Sequence, residues 1–278
     1  MKTERTQDTR GVWGYFALAF GVSWLIWATP VMESLGWIES PVPNQVLAIV
    51  GAHGPLVAAL VMTWREAGWA AVKRLVRAGF DVRMTLIWWI VILFAPVVLS
   101  GLAAWLNSET SEFVLDTTLL RQPLLILPTF VAMFLVGGSV QEEFGWRGYA
   151  LPRLLAVWNP LLASVVLGLV WGLWHWPLFF VDGASQAFMP FGVFVLLVTG
   201  FSVLFTLAYV RTGRNLFSAL LLHTVINTSL SLFPPIEQRA GGNQMALTYL
   251  ALAYVVVAVV LVVKEPGWWL KAPSEGVP

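Results

Sequence analysis

Long apolar segments separated by short polar connections are the main pattern of this chain of 278 residues. Each segment is close to the roughly 20 residues that a helix needs to cross the hydrocarbon core of a bilayer. The pattern predicts eight membrane-spanning helices, over about 12–32, 46–64, 85–105, 123–140, 160–180, 190–210, 215–233 and 246–263. We therefore expect an all-α, polytopic transmembrane helix bundle that forms one integral membrane domain over residues 1–278.

Composition agrees with a membrane location. The chain is 58% hydrophobic and 11% charged, whereas about 25% of the residues of a soluble domain are charged. It has no Cys, which excludes disulfides, thiolate catalysis and cysteine metal sites. A net charge of +1 gives no electrostatic reason for binding nucleic acid, so the expected partners are membrane lipids and a membrane-associated peptide or protein substrate.

The basic residues are distributed unequally between the connections. Fourteen of the 16 Lys and Arg residues lie at the N-terminus or after segments 2, 4, 6 and 8, and only Arg121 and Arg239 lie in the alternate connections. Because cytoplasmic loops carry the excess of positive charge, we expect both termini to be cytoplasmic. We also expect the first segment to be a retained span of a multi-pass protein in a bacterial or archaeal cell membrane.

Ionisable residues inside apolar segments are costly and usually functional. All three histidines, His53, His175 and His223, lie in such segments, and Glu142 follows the fourth segment directly. No turn signal separates Glu142 from the fourth segment, so we expect that segment to continue as one helix to about Trp158. Glu142 and His175 would then lie about 24–26 Å from the turn at 159–160, at matching depth on antiparallel helices.

Two pairs of polar residues have the i, i+4 spacing that places them on one face of a helix. Glu143 and Arg147 can form an ion pair, and His223 and Asn227 lie together on segment 7. Snorkelling to the membrane interface would explain Arg147 but not the two adjacent carboxylates of Glu142 and Glu143. A lone intramembrane histidine such as His53 is often a packing residue. We expect the glutamate, the histidines of segments 5 and 7 and Asn227 to converge in one intramembrane cavity on the cytoplasmic side, with His53 outside it.

These residues resemble three motifs of a known family. Glu142-Glu143-x-x-x-Arg147, followed by Gly148-Tyr149, is similar to EExxxR, and His223-x-x-x-Asn227 is similar to HxxxN. Trp171-x-x-x-His175 is similar to FxxxH, with Trp in place of the usual Phe. In this order, the motifs resemble those of the CAAX-protease and bacteriocin-processing (CPBP) family of intramembrane endopeptidases, which includes type II CAAX prenyl proteases. The resemblance covers about 125–233.

The resemblance implies peptide-bond hydrolysis in the membrane by one of two mechanisms. In the metal-free mechanism, Glu142 with His175 activates a water, and His223 with Asn227 donates hydrogen bonds to the oxyanion. In the metal mechanism, His175, His223 and Glu143 bind Zn²⁺, a ligand set typical of catalytic zinc. In both, Arg147 orients Glu143. The residues leave both mechanisms open, and we favour the metal-free one.

The family also leaves the substrate open, because its members act on prenylated CAAX peptides or in bacteriocin maturation and immunity. Two non-proteolytic alternatives are an immunity scaffold and a proton-coupled transporter, although no inverted repeat supports transport. Other intramembrane protease classes are disfavoured, since the sequence has no HExxH motif and no Asp within a span. Ser139 lacks the following glycine of a GxSG motif.

Overall fold

The chain forms a helical bundle in a computed structural model that describes residues 2–111, 118–239 and 241–272. Short 3₁₀ turns join some of the helices, as at Trp176–Phe180, and the described residues contain no strand. The helices are α1 (Lys2–Ser34), α2 (Asn44–Gly51), α3 (Gly54–Ala78), α4 (Leu86–Thr110), α5 (Thr118–Arg121), α6 (Ile126–Val136), α7 (Ser139–Gly145), α8 (Leu151–Leu155), α9 (Pro160–Trp174), α10 (Phe191–Arg211), α11 (Leu216–Leu232), α12 (Met245–Lys264) and α13 (Pro266–Trp269).

The predicted all-α membrane bundle is confirmed. Within the described part of the chain, seven helical segments are long and apolar enough to cross a membrane. The remaining predicted span is α11, which has 17 residues and so lies at the lower end of the length that spans a bilayer. It packs against α4, α6, α7 and α10, and most of its side chains are buried.

The fourth span differs from the continuous helix that the sequence predicts. It is broken at Gly137–Gly138, where Gly138 has a φ of 109°, a value that glycine adopts without steric cost. A π-helical turn follows at Trp146–Ala150, and the last helix ends at Leu155 rather than at Trp158. The prediction was wrong because it gave no weight to the Gly137–Gly138 pair, although paired glycines mark turns.

The second span is also interrupted, between α2 and α3. The Gln141 side chain connects this break to the one in the fourth span. Its Nε2 donates to the Ile49 carbonyl at 2.9 Å, and its Oε1 accepts from the Gly138 backbone N–H at 2.8 Å. One side chain therefore fixes both breaks relative to each other and sets the position of α7.

Close helix packing places α9 against α10. A Cβ atom on Gly168 would lie 2.7 Å from the Thr199 Cα, and one on Gly172 would lie 3.1 Å from a Val195 methyl. Small residues of this kind let helix backbones approach closely in a membrane. Since α9 ends just before His175, this packing fixes the depth of that histidine in the bundle.

The connections form two groups at opposite ends of the bundle. We call the end with 79–85, 156–159 and 212–215 the basic face; there, Asn215 Nδ2 donates to the Asp81 carbonyl at 2.8 Å. The other end, which we call the opposite face, carries 35–43, 175–190 and 233–244. At this end, Gln238 Nε2 donates to Ser185 Oγ at 3.1 Å and links two connections. The Asp182 N–H donates to Ser34 Oγ at the end of α1 at 2.8 Å.

Candidate active site

The break in the fourth span positions the first of the two adjacent glutamates. The Glu142 N–H donates to the Gly138 carbonyl at 2.8 Å, in the first turn of α7. From α11, Asn227 Nδ2 donates to the carbonyl of Gly137 at 2.5 Å. A Cβ on Gly138 would lie 2.7 Å from Glu142 Oε1 and 2.9 Å from His223 Nε2. The carboxylate and the imidazole therefore face the same small space, which a side chain at position 138 would fill.

Glu142 is buried, and its bonding partner is the aromatic residue of the second motif. Trp171 Nε1 donates to Glu142 Oε2 at 2.5 Å. A phenylalanine at this position could not make the bond, because only the indole ring has an N–H. Trp171 is a further candidate site residue to which the sequence interpretation gave no role; its departure from the family motif was the available signal.

Glu143 points away from Glu142 and is held in a separate buried group. Arg147 Nη1 donates to Glu143 Oε1 at 2.9 Å, and His223 Nδ1 lies 2.8 Å from the same oxygen. Both the Glu143 and the Arg147 side chains have no exposed surface, so snorkelling does not explain this arginine. Its guanidinium also lies over the Trp171 ring, at 4.4 Å from the centroid, a contact that adds cation–π stabilisation.

Hydrogen bonding fixes the tautomer of His175. This residue follows the last turn of α9, and its Nδ1 lies 2.9 Å from the Trp171 carbonyl oxygen. Since a carbonyl only accepts, Nδ1 carries the proton, and Nε2 of the neutral ring carries a lone pair. The ring packs against Trp174 and Phe194, with centroids 4.6 Å and 5.0 Å away.

One cavity of about 400 Å³ brings the predicted residues together. Its lining includes Glu142, His175, His223 and Asn227. Its apolar wall is made of side chains from α10 and α11, among them Phe194, Leu197, Val198, Phe201, Phe205, Ile226 and Leu230. An acid, two imidazoles and an amide thus share an otherwise largely apolar space.

Four predicted or considered residues do not line this cavity. Glu143 and Arg147 lie behind it, where they contact the far nitrogen of His223 and the ring of Trp171. Ser139 Oγ is 2.9 Å from Thr224 Oγ1, and His53 Nδ1 is 2.9 Å from the Ile49 carbonyl oxygen.

The zinc set predicted from the sequence does not fit this geometry. His175, His223 and Glu143 would have to share one ion, but Glu143 Oε1 is occupied by Arg147 and by His223 Nδ1. Glu143 also does not line the cavity that His175 and His223 share. Among the side chains that the structure describes, no group of three His, Cys, Asp or Glu residues is arranged to hold a metal ion.

Fold and cavity together define a class: a polytopic membrane protein with an acid–histidine site among its spans. A model of the family "Type II CAAX prenyl endopeptidase Rce1-like" matches residues 123–229. The chain is also 24% identical over 258 residues to "CAAX prenyl protease 2" of Methanococcus maripaludis, covering 87% of this chain and 92% of the relative. The predicted resemblance is thereby confirmed: this integral membrane protein is similar to the CAAX prenyl proteases, and the similarity supports a protease.

Proposed function

We propose that this protein is an intramembrane endopeptidase that hydrolyses a peptide bond of a membrane-associated substrate with a water activated by Glu142. One observation carries the proposal: Glu142, His175, His223 and Asn227 line a single cavity among the membrane-spanning helices. Hydrolysis requires a base for the water and donors for the oxyanion. The cavity offers candidates for both.

In the proposed reaction, Glu142 takes a proton from water as the water oxygen bonds to the substrate carbonyl carbon. The lone pair on His175 Nε2, which the Trp171 carbonyl enforces through Nδ1, accepts the other hydrogen of that water and orients it. The tetrahedral intermediate then collapses. Its C–N bond breaks, and the proton held by Glu142 moves to the leaving amine, which regenerates the carboxylate.

The oxyanion donors come from α11. Asn227 uses one N–H of its amide on the Gly137 carbonyl, which leaves its second N–H for the oxyanion. His223 has its Nδ1 on Glu143 and its Nε2 in the space beside Gly138, so a protonated His223 would donate through Nε2. Arg147 and Glu143 act as positioning residues, because they hold this imidazole from behind.

The substrate class is part of the proposal. The curated relative is named as a CAAX prenyl protease, and the apolar wall of the cavity suits either a prenylated CAAX-type peptide or an apolar bacteriocin-related peptide. We propose that the uncharged wall binds the apolar part of such a substrate and that the scissile bond lies beside Glu142.

The test is cleavage by the purified protein in liposomes, with a farnesylated CAAX peptide and an unprenylated apolar leader peptide as substrates. The reaction is run in H₂¹⁸O, and we expect one ¹⁸O atom in the new carboxylate by mass spectrometry. Glu142→Ala and His175→Ala should abolish this signal while the protein remains folded. Cleavage of neither peptide by the wild-type protein, or unchanged cleavage by both variants, would contradict the proposal.

A chelation experiment tests the metal-free part separately. Since Glu143 is committed to Arg147 and His223, we expect the rate to be unchanged after exhaustive chelation. Loss of cleavage and its recovery with added Zn²⁺ would show that the side chains rearrange around a metal. That result would contradict the metal-free activation of water by Glu142.

A further inference from the structure

The cavity reaches one end of the bundle and not the other. Beyond the catalytic residues, its lining continues into the connections of the opposite face, with Ser185, Gln186 and Met189 from one connection and Pro234, Pro235, Ile236 and Gln238 from another. None of its lining residues comes from the described connections of the basic face. Gln238 is exposed, so the lining extends from the buried glutamate to the surface.

The depth of His175 agrees with this direction. Glu142 lies 13 residues before the end of its span at Leu155 and 19 residues after its start at Pro123, so the acid lies near the middle of the membrane. His175 follows the end of α9, 15 residues from the start of its span at Pro160 and five from its end at Phe180. This histidine therefore lies in the half of the membrane that is remote from the basic face.

The charges identify the two faces. Exposed basic residues such as Lys73, Arg74 and Arg77 lie at the basic face, together with the salt-bridged Arg211. The opposite face has only Arg121 and Arg239 in its connections, and Arg239 is paired with Glu237 at 2.8 Å. The positive-inside rule therefore assigns the basic face to the cytoplasm.

We propose that the cavity opens on the extracytoplasmic face, and that the substrate is a peptide or protein segment that reaches the outer half of the membrane from outside. This inference rests on the proposed function and specifies its substrate class: an exported or externally anchored, largely uncharged segment. It replaces the cytoplasmic placement expected from the hairpin, because the turn at 159–160 lies on the basic face and contributes no residue to the lining of the cavity.

The largely uncharged lining of the cavity suits such a substrate. Apart from Glu142 and the two histidines, the lining residues are apolar, aromatic, or neutral polar such as Ser231 and Gln186. An apolar segment thus meets no fixed charge between the surface and the scissile position. A segment rich in Asp, Glu or Lys would lose its hydration there without gaining a partner.

The test is the accessibility of single cysteines, for which the absence of Cys from the chain provides a clean background. Ser231→Cys places a thiol in the cavity wall, Ala187→Cys marks the exposed opposite face, and Arg77→Cys marks the basic face. Intact cells are treated with a membrane-impermeant, charged thiol reagent before and after permeabilisation. We expect Ser231→Cys and Ala187→Cys to react in intact cells, and Arg77→Cys to react only after permeabilisation.

Other labelling patterns would overturn the inference. If Ser231→Cys reacts only after permeabilisation, or not at all, the cavity does not open to the outside; if Arg77→Cys reacts in intact cells, the orientation is inverted. Labelling does not require catalysis, so the pattern should persist when Glu142→Gln is added. Cleavage combined with labelling only from the inside would support the proposed function and contradict this inference. Labelling from the outside without cleavage would support this inference and contradict the proposed function.

Discussion

Replacing Glu142 by Gln is the most informative perturbation of this site. The substitution keeps the size of the side chain and an oxygen that can accept the Trp171 N–H, which lies 2.5 Å from Glu142 Oε2 in the wild type. The new amide then faces the space it shares with His223 Nε2, which can accept a hydrogen bond from it when the imidazole is neutral. The surroundings should therefore tolerate the amide, and the loss is confined to the basicity of the carboxylate.

The expected magnitude follows from the proposed role of Glu142 as a general base. Proton transfer by a positioned side chain contributes about 10²–10⁴-fold to a rate, equivalent to about 3–5 kcal/mol of barrier. Glu142 is buried, and none of the ion pairs formed by the described side chains involves it. Removing an unpaired buried charge lowers its desolvation cost, so the thermal midpoint should stay the same or rise.

The assay measures kcat/KM for the liposome-bound substrate beside a thermal unfolding curve of the same preparation. Glu66→Gln is the matched control, since Glu66 lies outside the cavity and pairs with Arg153 at 2.5 Å near the basic face; it should keep wild-type cleavage. The reasoning is refuted if Glu142→Gln cleaves within a few-fold of the wild type. An inactive variant with a clearly lowered midpoint would instead indicate a structural role.

Three further substitutions test how the catalytic groups are positioned. Trp171→Phe removes the donor to the glutamate but keeps an aromatic ring. The loss of one hydrogen bond to a charged group should lower kcat about 10- to 100-fold with little change in KM. An unchanged kcat would show that the N–H is dispensable. Gly138→Ala should abolish cleavage, because its methyl group would clash with the Glu142 carboxylate and the His223 imidazole. The control is Gly213→Ala, which also has a positive φ but lies in open space; it should lower the thermal midpoint without changing the cleavage rate of the folded protein. Asn227→Ala should lower kcat about 10²–10³-fold, as expected for the loss of one oxyanion donor. Single-turnover rates equal to those of the wild type would show that Asn227 is not an oxyanion donor.

The sequence predicted the spans well because one physical requirement dominates them. A helix in lipid must satisfy its backbone internally and present apolar side chains over about 20 residues, and such runs are visible without a structure. The breaks at Gly137–Gly138 and between α2 and α3 were not predicted. Each is held by a hydrogen bond between residues that are distant in the chain, from Gln141 to the Ile49 carbonyl and from Asn227 to the Gly137 carbonyl.

The same distinction applies to the candidate site. The three motifs indicated the candidate residues, and the structure brings four of them, Glu142, His175, His223 and Asn227, to one cavity. The resemblance implied that Glu142 activates the water and that Arg147 orients Glu143, but the sequence could not provide the geometry that separates the two glutamates. Consecutive residues of a helix point about 100° apart, so only one could face the cavity, and the helix rotation that decides between them depends on Gly138 and Gln141.

This division explains how two adjacent carboxylates can be buried in one helical turn. Glu143 is paired with Arg147 and with His223 Nδ1, which offsets the cost of its burial. Glu142 instead has a neutral donor, Trp171, and an opening toward the cavity. An arginine on Glu142 as well would stabilise its charged form and weaken it as a base. The buried ion pair behind the cavity thus leaves Glu142 without a cationic partner in the salt bridges of the described side chains, as its proposed role as a base requires.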